Sequence, residues 1–81
     1  MQGLNENLLH KFGAHVRTLR EERGISSAEM ARLCLMDRGN YTRIESGKTN
    51  PTLITISILC QALEISYKEL FDGFNVLHDM H

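Results

Sequence analysis

Ser27-Ala28-Glu29-Met30-Ala31-Arg32-Leu33-Cys34-Leu35-Met36-Asp37-Arg38-Gly39-Asn40-Tyr41-Thr42-Arg43-Ile44-Glu45-Ser46 is the stretch whose reading decides the fold. Just before it, Ser26 and Glu29 have capping-box spacing, each placed to satisfy the other's free amide, and Ile25 with Met30 stands at hydrophobic-staple spacing. The helix opened at Ser27 carries Met30, Ala31, Leu33 and Cys34. It can hardly pass Leu35, because Asp37 is a fresh N-cap for a second short helix running to about Ser46, where Gly47 stops it. Small Ala31 permits close crossing of the two helices, and Met30, Met36, Tyr41 and Ile44 supply their shared core.

Upstream, Leu4, Leu8, Phe12, Val16 and Leu19 form the apolar stripe of one amphipathic helix that ends near Arg23-Gly24. Downstream, Lys48-Thr49-Asn50-Pro51 is a polar turn, and Pro51 suits the first position of a helix from about Thr52 to Leu63 whose inward face is Leu53, Ile56, Leu59, Cys60 and Leu63. Ser66 and Glu69 form a second capping box, so a short helix begins near Tyr67. Residues 73–81 carry no assignable pattern. The expectation is an all-α, five-helix domain spanning residues 1–81, without repeats or an internal linker, with a helix-turn-helix at 27–46.

Composition narrows the function. At 81 residues, 42% hydrophobic and 23% charged, the chain is one ordinary globular domain. A core of this size buries only about 60% of the unfolded chain's surface, which leaves little space for a deep substrate cavity. No Gly-rich phosphate loop or paired carboxylates beside a cleft suggest an enzyme. No apolar run approaches the roughly 20 residues that span a bilayer. Met1 to Asn7 lacks the basic-then-apolar order of a secretory signal, so a cytoplasmic location is expected. Cys34 and Cys60 stand apart without a CxxC spacing and read as reduced core residues. His10, His15, His78 and His81 read as structural or solvated rather than metal ligands, and no cofactor is implied.

Charge is informative once the chain is divided. From Lys11 to Lys48, eight bases stand against five acids, a net of +3, and the remainder has Lys68 against five acids, a net of −4. This reads either as a surface facing a polyanion with a different opposite end or as ordinary solvated helix faces.

Taken together, Phe12-Gly13, Leu19-Arg20-Glu21-Glu22, the Ile25-to-Ala31 run, Tyr41 to Lys48, Asn50-Pro51-Thr52-Leu53 and Ala62-Leu63 resemble the Cro and phage-repressor type of helix-turn-helix domain, also called the xenobiotic-response-element type. The resemblance runs from about Phe12 to Phe71. It implies a lambda-repressor-like domain that binds double-stranded DNA and regulates transcription, usually as a homodimer on a palindromic operator, with the first part of the third helix reading bases in the major groove. Helical-wheel geometry buries Tyr41 and Ile44 and directs Thr42, Arg43 and Ser46 outward, with Arg38 and Asn40 on the flanks. Expected base readers are Arg38, Asn40, Thr42 and Arg43, with Arg43 also readable as a solvated surface arginine. Expected phosphate contacts are Ser27, Ser46, Lys48, Thr49 and Asn50. The resemblance further implies a buried ion pair between Arg20 and Glu45.

Two positions depart from the family pattern. Leu35 stands where a glycine is common, so a wider or different turn is expected, and Gly39 stands where a reading side chain often projects. Ile54 and Ile58 with Phe74, Val76 and Leu77 read as a dimer interface, or else the tail folds back over Ile54 and Ile58. A different class of function is a protein-interaction module, such as the antitoxin of a toxin-antitoxin pair, whose acidic and apolar carboxyl half binds a protein partner.

Overall fold

Five helices account for the regular structure among the described residues, 2–72, of a computed structural model, with side chains described from residue 6 onward. The first, α1 (Gln2–Glu22), buries Phe12 and Val16 and half-buries Leu8 and Leu19, the stripe expected from spacings of three and four. Arg20 lies on the same stripe and is only 8% exposed. Helices α2 (Ser27–Leu33) and α3 (Arg38–Glu45) follow, then α4 (Leu53–Leu63) and α5 (Tyr67–Phe71). No strand occurs among the described residues.

The first four helices stop by one device. In each, one amide at the exit reaches back five residues, and the amide just before it reaches back three: Ile25 to Arg20 and Gly24 to Glu21, Met36 to Ala31 and Leu35 to Arg32, Lys48 to Arg43 and Gly47 to Ile44, Ile65 to Cys60 and Glu64 to Gln61. This Schellman closure requires a left-handed residue, taken by Gly24, Leu35, Gly47 and Glu64. The expectation of a wider turn at Leu35 is therefore corrected: Leu35 adopts φ +56° and the turn stays tight. What holds it there is the residue that follows. Met36 packs against the core, as Ile25 and Ile65 do after the first and fourth helices, so the hydrogen bonds and this burial outweigh a left-handed leucine's penalty of about 1–2 kcal/mol.

The core runs through α1 (Phe12, Val16), α2 (Met30, Ala31), Cys34, α3 (Tyr41, Ile44), α4 (Leu59, Cys60, Leu63) and Leu70 of α5. Cys34 and Cys60 are free and buried, and burial pushes both thiols up from the usual cysteine range.

Three local readings need correction. Ser26 accepts the Glu29 amide at 3.1 Å, but the Glu29 carboxylate extends toward Arg32 at 3.9 Å rather than closing the box; Ser66 and Glu69 close theirs completely. Pro51 is not the first helical residue. Thr52 is the N-cap, its hydroxyl accepting the Thr55 amide at 3.1 Å, so α4 begins at Leu53 and Pro51 precedes the cap. Leu53 is 80% exposed, because burial along α4 starts a turn later at Ile56 and is complete only from Leu59. The C-terminus of α4 is closed by α1's end: Arg23 Nε donates to the Leu63 carbonyl at 3.1 Å, a cation on the negative pole of a helix.

Leu35 is 94% exposed, so its side chain contributes little burial to offset its backbone. Leu35→Gly is expected to stabilise the free protein by about 0.5–1 kcal/mol, the left-handed penalty relieved less the added unfolded-state entropy. Urea denaturation measures this; a loss of stability would contradict it.

Candidate nucleic-acid interface

The eight residues of α3 are too few to be stable alone, so the helix is held by what it packs on. It lies against both α1 and α2. At Gly13 the α1 backbone reaches the end of α3 so closely that a Cβ there would stand 2.4 Å from the carbonyl oxygens of both Ile44 and Glu45. One turn earlier on α1, His10 and Leu9 face Gly47, where a Cβ would meet the His10 backbone at 2.8 Å. Two glycines thus let the carboxyl end of α3 and its exit turn rest on α1 backbone to backbone, a use of glycine that the sequence reading did not isolate. The signal was present in Gly13 itself, a glycine inside a helix where alanine is better by about 1 kcal/mol.

Polar anchoring reinforces that contact. Arg20 donates through Nε to Glu45 Oε2 at 2.6 Å and through Nη2 to Oε1 at 3.2 Å, a bidentate pair whose side chains are each 10% exposed. Its remaining terminal nitrogen donates to the Ile25 carbonyl at 2.7 Å, tying α1 to the approach of α2. The Tyr41 hydroxyl donates to the same Glu45 carboxylate. The hydrogen bond to Glu45 holds the Arg20 guanidinium charged against the opposing effect of burial. Burial, with the adjoining carboxylate, pushes the Tyr41 phenol far above its usual range, so it remains a donor at every working pH. This is the ion pair expected from the sequence, extended by a tyrosine and a backbone carbonyl.

With Tyr41 and Ile44 turned inward, Arg38, Gly39, Asn40, Thr42 and Arg43 all lie exposed on α3. Asn40 and Arg43 form one side of a groove whose other side is Thr49, Asn50 and Pro51, so two expected base readers and two expected phosphate contacts share one concavity. Arg38 and Thr42 are exposed on the same helix but are not on that groove's wall. Arg43 leans along it, its guanidinium 3.5 Å from the Lys48 carbonyl. Lys48 is exposed at the end of the turn. Ser46 is half-buried and its hydroxyl donates to the carbonyls of Thr42 and Arg43, so its proton is already engaged. Ser27 is half-buried in the first turn of α2, away from that groove's wall. A Cβ added at Gly39 would meet nothing within 4 Å, so the fold itself does not demand glycine there.

The positive charge is narrower than the sequence count suggests. Arg20 and Arg23 are spent on internal acceptors, and Arg17 pairs with Glu21 at 3.2 Å. Arg38, Arg43 and Lys48 remain on α3 and its exit turn. On α4, Ile54 is 73% exposed, whereas Ile58 is partly buried against the core. Phe74, Val76 and Leu77 lie outside the described residues. Among the described residues, no three His, Cys, Asp or Glu side chains come together to hold a metal, and no helix is long and apolar enough to cross a membrane.

Removing the Glu45 carboxylate strands a buried arginine and a buried phenol. Glu45→Ala is expected to cost about 3–5 kcal/mol by denaturant titration. A cost under about 1 kcal/mol would show the pair to be replaceable and the anchoring to lie elsewhere.

Residues 16–70 match the HTH_3 helix-turn-helix family. The chain is 32% identical over 74 residues to the HTH-type transcriptional repressor RghR of Bacillus subtilis, covering 90% of this chain and 55% of RghR. It is 28% identical over 59 residues to the antitoxin PezA of Streptococcus pneumoniae, covering 73% of this chain and 37% of PezA. The chain therefore spans about half the length, or less, of these two relatives. The crystal structure of the restriction-modification controller protein C.AhdI from Aeromonas hydrophila superposes with a TM-score of 0.75 at 40% identity, covering 78% of this chain and 96% of that one. The match over most of the chain shows that this protein belongs to the HTH_3 family of DNA-binding transcription regulators, the xenobiotic-response-element type, which are not enzymes.

Proposed function

We propose that this regulator is a cytoplasmic repressor that occupies a palindromic operator as a homodimer, placing α3 of each copy in the major groove. The observation that carries this reading is the groove in which Asn40 and Arg43 face Thr49 and Asn50. Side chains suited to base edges and a polar turn suited to phosphate converge there, on a helix anchored from behind by Glu45. Arg38 and Arg43 match the paired acceptors of guanine, Asn40 matches adenine and the Thr42 methyl matches thymine, each good pair worth roughly 1–3 kcal/mol of discrimination. Lys48, Thr49 and Asn50, with Ser27 from α2, grip the backbone and set register, whereas Ser46, whose hydroxyl and amide protons are both given to carbonyls of α3, has no donor left for a phosphate. RghR, which shares this domain, is a transcriptional repressor.

Dimerisation is assigned to the outer face of α4. Ile54, Ser57, Ile58 and Gln61 share one side of that helix, and Leu53 with Ile54 leaves an apolar end exposed that a lone domain gains nothing from showing. The Tyr67 hydroxyl, donating to Ser57 at 3.0 Å, extends this face onto α5. Two copies joined here would present recognition helices about 34 Å apart, one turn of DNA.

A second reading is that the same apolar face binds a different protein, as in an antitoxin; the match to PezA favours it. The two readings separate on purification, since a stable heterologous partner would appear only under the second.

Arg43→Ala is expected to weaken operator binding by about 1–3 kcal/mol and to relax preference at one base pair, with little change on random DNA. Equal losses on both DNAs would make Arg43 a phosphate contact. For Lys48→Ala, both affinities fall and the slope of log K against log salt drops by about one unit; an unchanged slope would remove Lys48 from the phosphate set. Ile54→Glu shifts sedimentation from dimer to monomer while the far-ultraviolet spectrum is retained, and an unaltered mass would place the two-fold contact elsewhere.

A further inference from the structure

Of the glycines at positions 13, 24, 39 and 47, three are required by the fold. Gly24 and Gly47 take left-handed backbone, at φ +67° and +74°, and at Gly13 a Cβ would collide with the carbonyls of Ile44 and Glu45. Gly39 has neither reason. It lies inside α3 outside the left-handed region, and a Cβ there would meet nothing within 4 Å. Apart from proline, glycine is the least favourable residue within a helix, so the domain forgoes here a stability that alanine would supply without steric cost.

On the surface of α3, Gly39 is the i,i+3 neighbour of Thr42 and the i,i+4 neighbour of Arg43, and Arg38 and Asn40 flank it in sequence. All four of these side chains are exposed, so the bare backbone is surrounded by the expected base readers. The Arg43 guanidinium does not cover it, because it extends toward the Lys48 carbonyl at 3.5 Å, beyond the other end of the helix. A helix with its side chains is about 10–12 Å across and the major groove is about 12 Å wide. A seated α3 therefore has almost no slack, and one missing side chain on its outer face decides how deeply it sits.

We propose that Gly39 is a specificity-determining position: its bare Cα lets α3 close onto the base edges and leaves room for the methyl group of one thymine, the apolar group that projects from those edges into the major groove. A Cβ at position 39 would occupy the space of that methyl group. This assignment rests on the operator-binding reading above and deepens it. One thymine is accepted by shape without a hydrogen bond, and the closer seating extends the reach of Arg38 and Asn40 to the bases on either side.

The experiment compares the full chain with Gly39→Ala on three kinds of duplex: the operator selected from random sequences, random DNA, and operators in which each thymine in turn is replaced by deoxyuridine, which lacks only the methyl group. Gly39→Ala is expected to raise Tm by a few degrees, which separates a loss of binding from a loss of fold. Its binding to the selected operator is expected to weaken about tenfold, the scale of one mismatched base pair, with random DNA bound as before. Deoxyuridine at one position then restores most of the affinity of Gly39→Ala, while the same replacement gives the unaltered chain no gain. Operator affinity that is unchanged or raised in Gly39→Ala overturns the proposal, and so does a loss that no deoxyuridine relieves. If the unaltered chain enriches no sequence, the operator-binding reading falls and the proposal falls with it. An enriched operator to which Gly39→Ala binds equally well removes the proposal alone.

Discussion

The end of α3 is set directly on the backbone of α1, and the remainder of the molecule follows from that contact. Gly13 lies against the carbonyls of Ile44 and Glu45, and Gly47 lies against His10, so the exit of α3 has no freedom to shift along α1. Arg20 then clamps Glu45, and Tyr41 shares the same carboxylate. An eight-residue helix held in this way can present a polar outer face with no stability of its own, because its fixed geometry is supplied from behind. Directional base recognition needs that rigidity, since hydrogen bonds weaken steeply as their geometry departs from the optimum. The buried ion pair is expensive to desolvate and adds little net stability over an apolar replacement, so its value here lies in fixing orientation.

Most of this architecture was legible because several local signals agreed. The stripe of α1 from Leu8 to Leu19, the caps at Ser26 and Ser66, and the inward pair Tyr41 and Ile44 are all local properties, and the structure keeps those residues in their expected places; Asp37 stands at the N-cap of α3 but its side chain makes no capping hydrogen bond. The helix stops were half legible. Gly24 and Gly47 announce themselves, but Leu35 and Glu64 make the same left-handed closure without a glycine. Nothing at those two positions signals it; the cause lies one residue on, in the apolar Met36 and Ile65 that the closure turns toward the core. A local penalty was overridden by a tertiary gain, which propensity alone does not register.

The site was legible where helical phase decides exposure and illegible where a distant backbone group decides a side chain's partner. Phase placed Arg38, Asn40, Thr42 and Arg43 on the open side of α3. It did not reveal that Arg23 is committed to the Leu63 carbonyl, forty residues away, or that the Ser46 proton is already given to its own helix. Charge counting therefore overstated the basic surface: Arg20 is buried and Arg17, Arg23 and Arg32 are engaged within the chain, while Arg38, Arg43 and Lys48 stand exposed on α3 and its exit turn. Leu53 was misplaced for a similar reason, because a periodic stripe does not show where its neighbours end. Gly39 has open surroundings, so nothing in the folded domain requires a glycine there.

The central claim, that a helix clamped from behind reads DNA sequence as one half of a two-fold pair, is tested most directly by selecting bound sequences from a random duplex pool. The account predicts enrichment of a palindrome whose half-sites lie about 10 base pairs apart. Recovery of unenriched sequences, bound only weakly and lost as salt is raised, would contradict it and leave α3 as a scaffold for contacts of another kind.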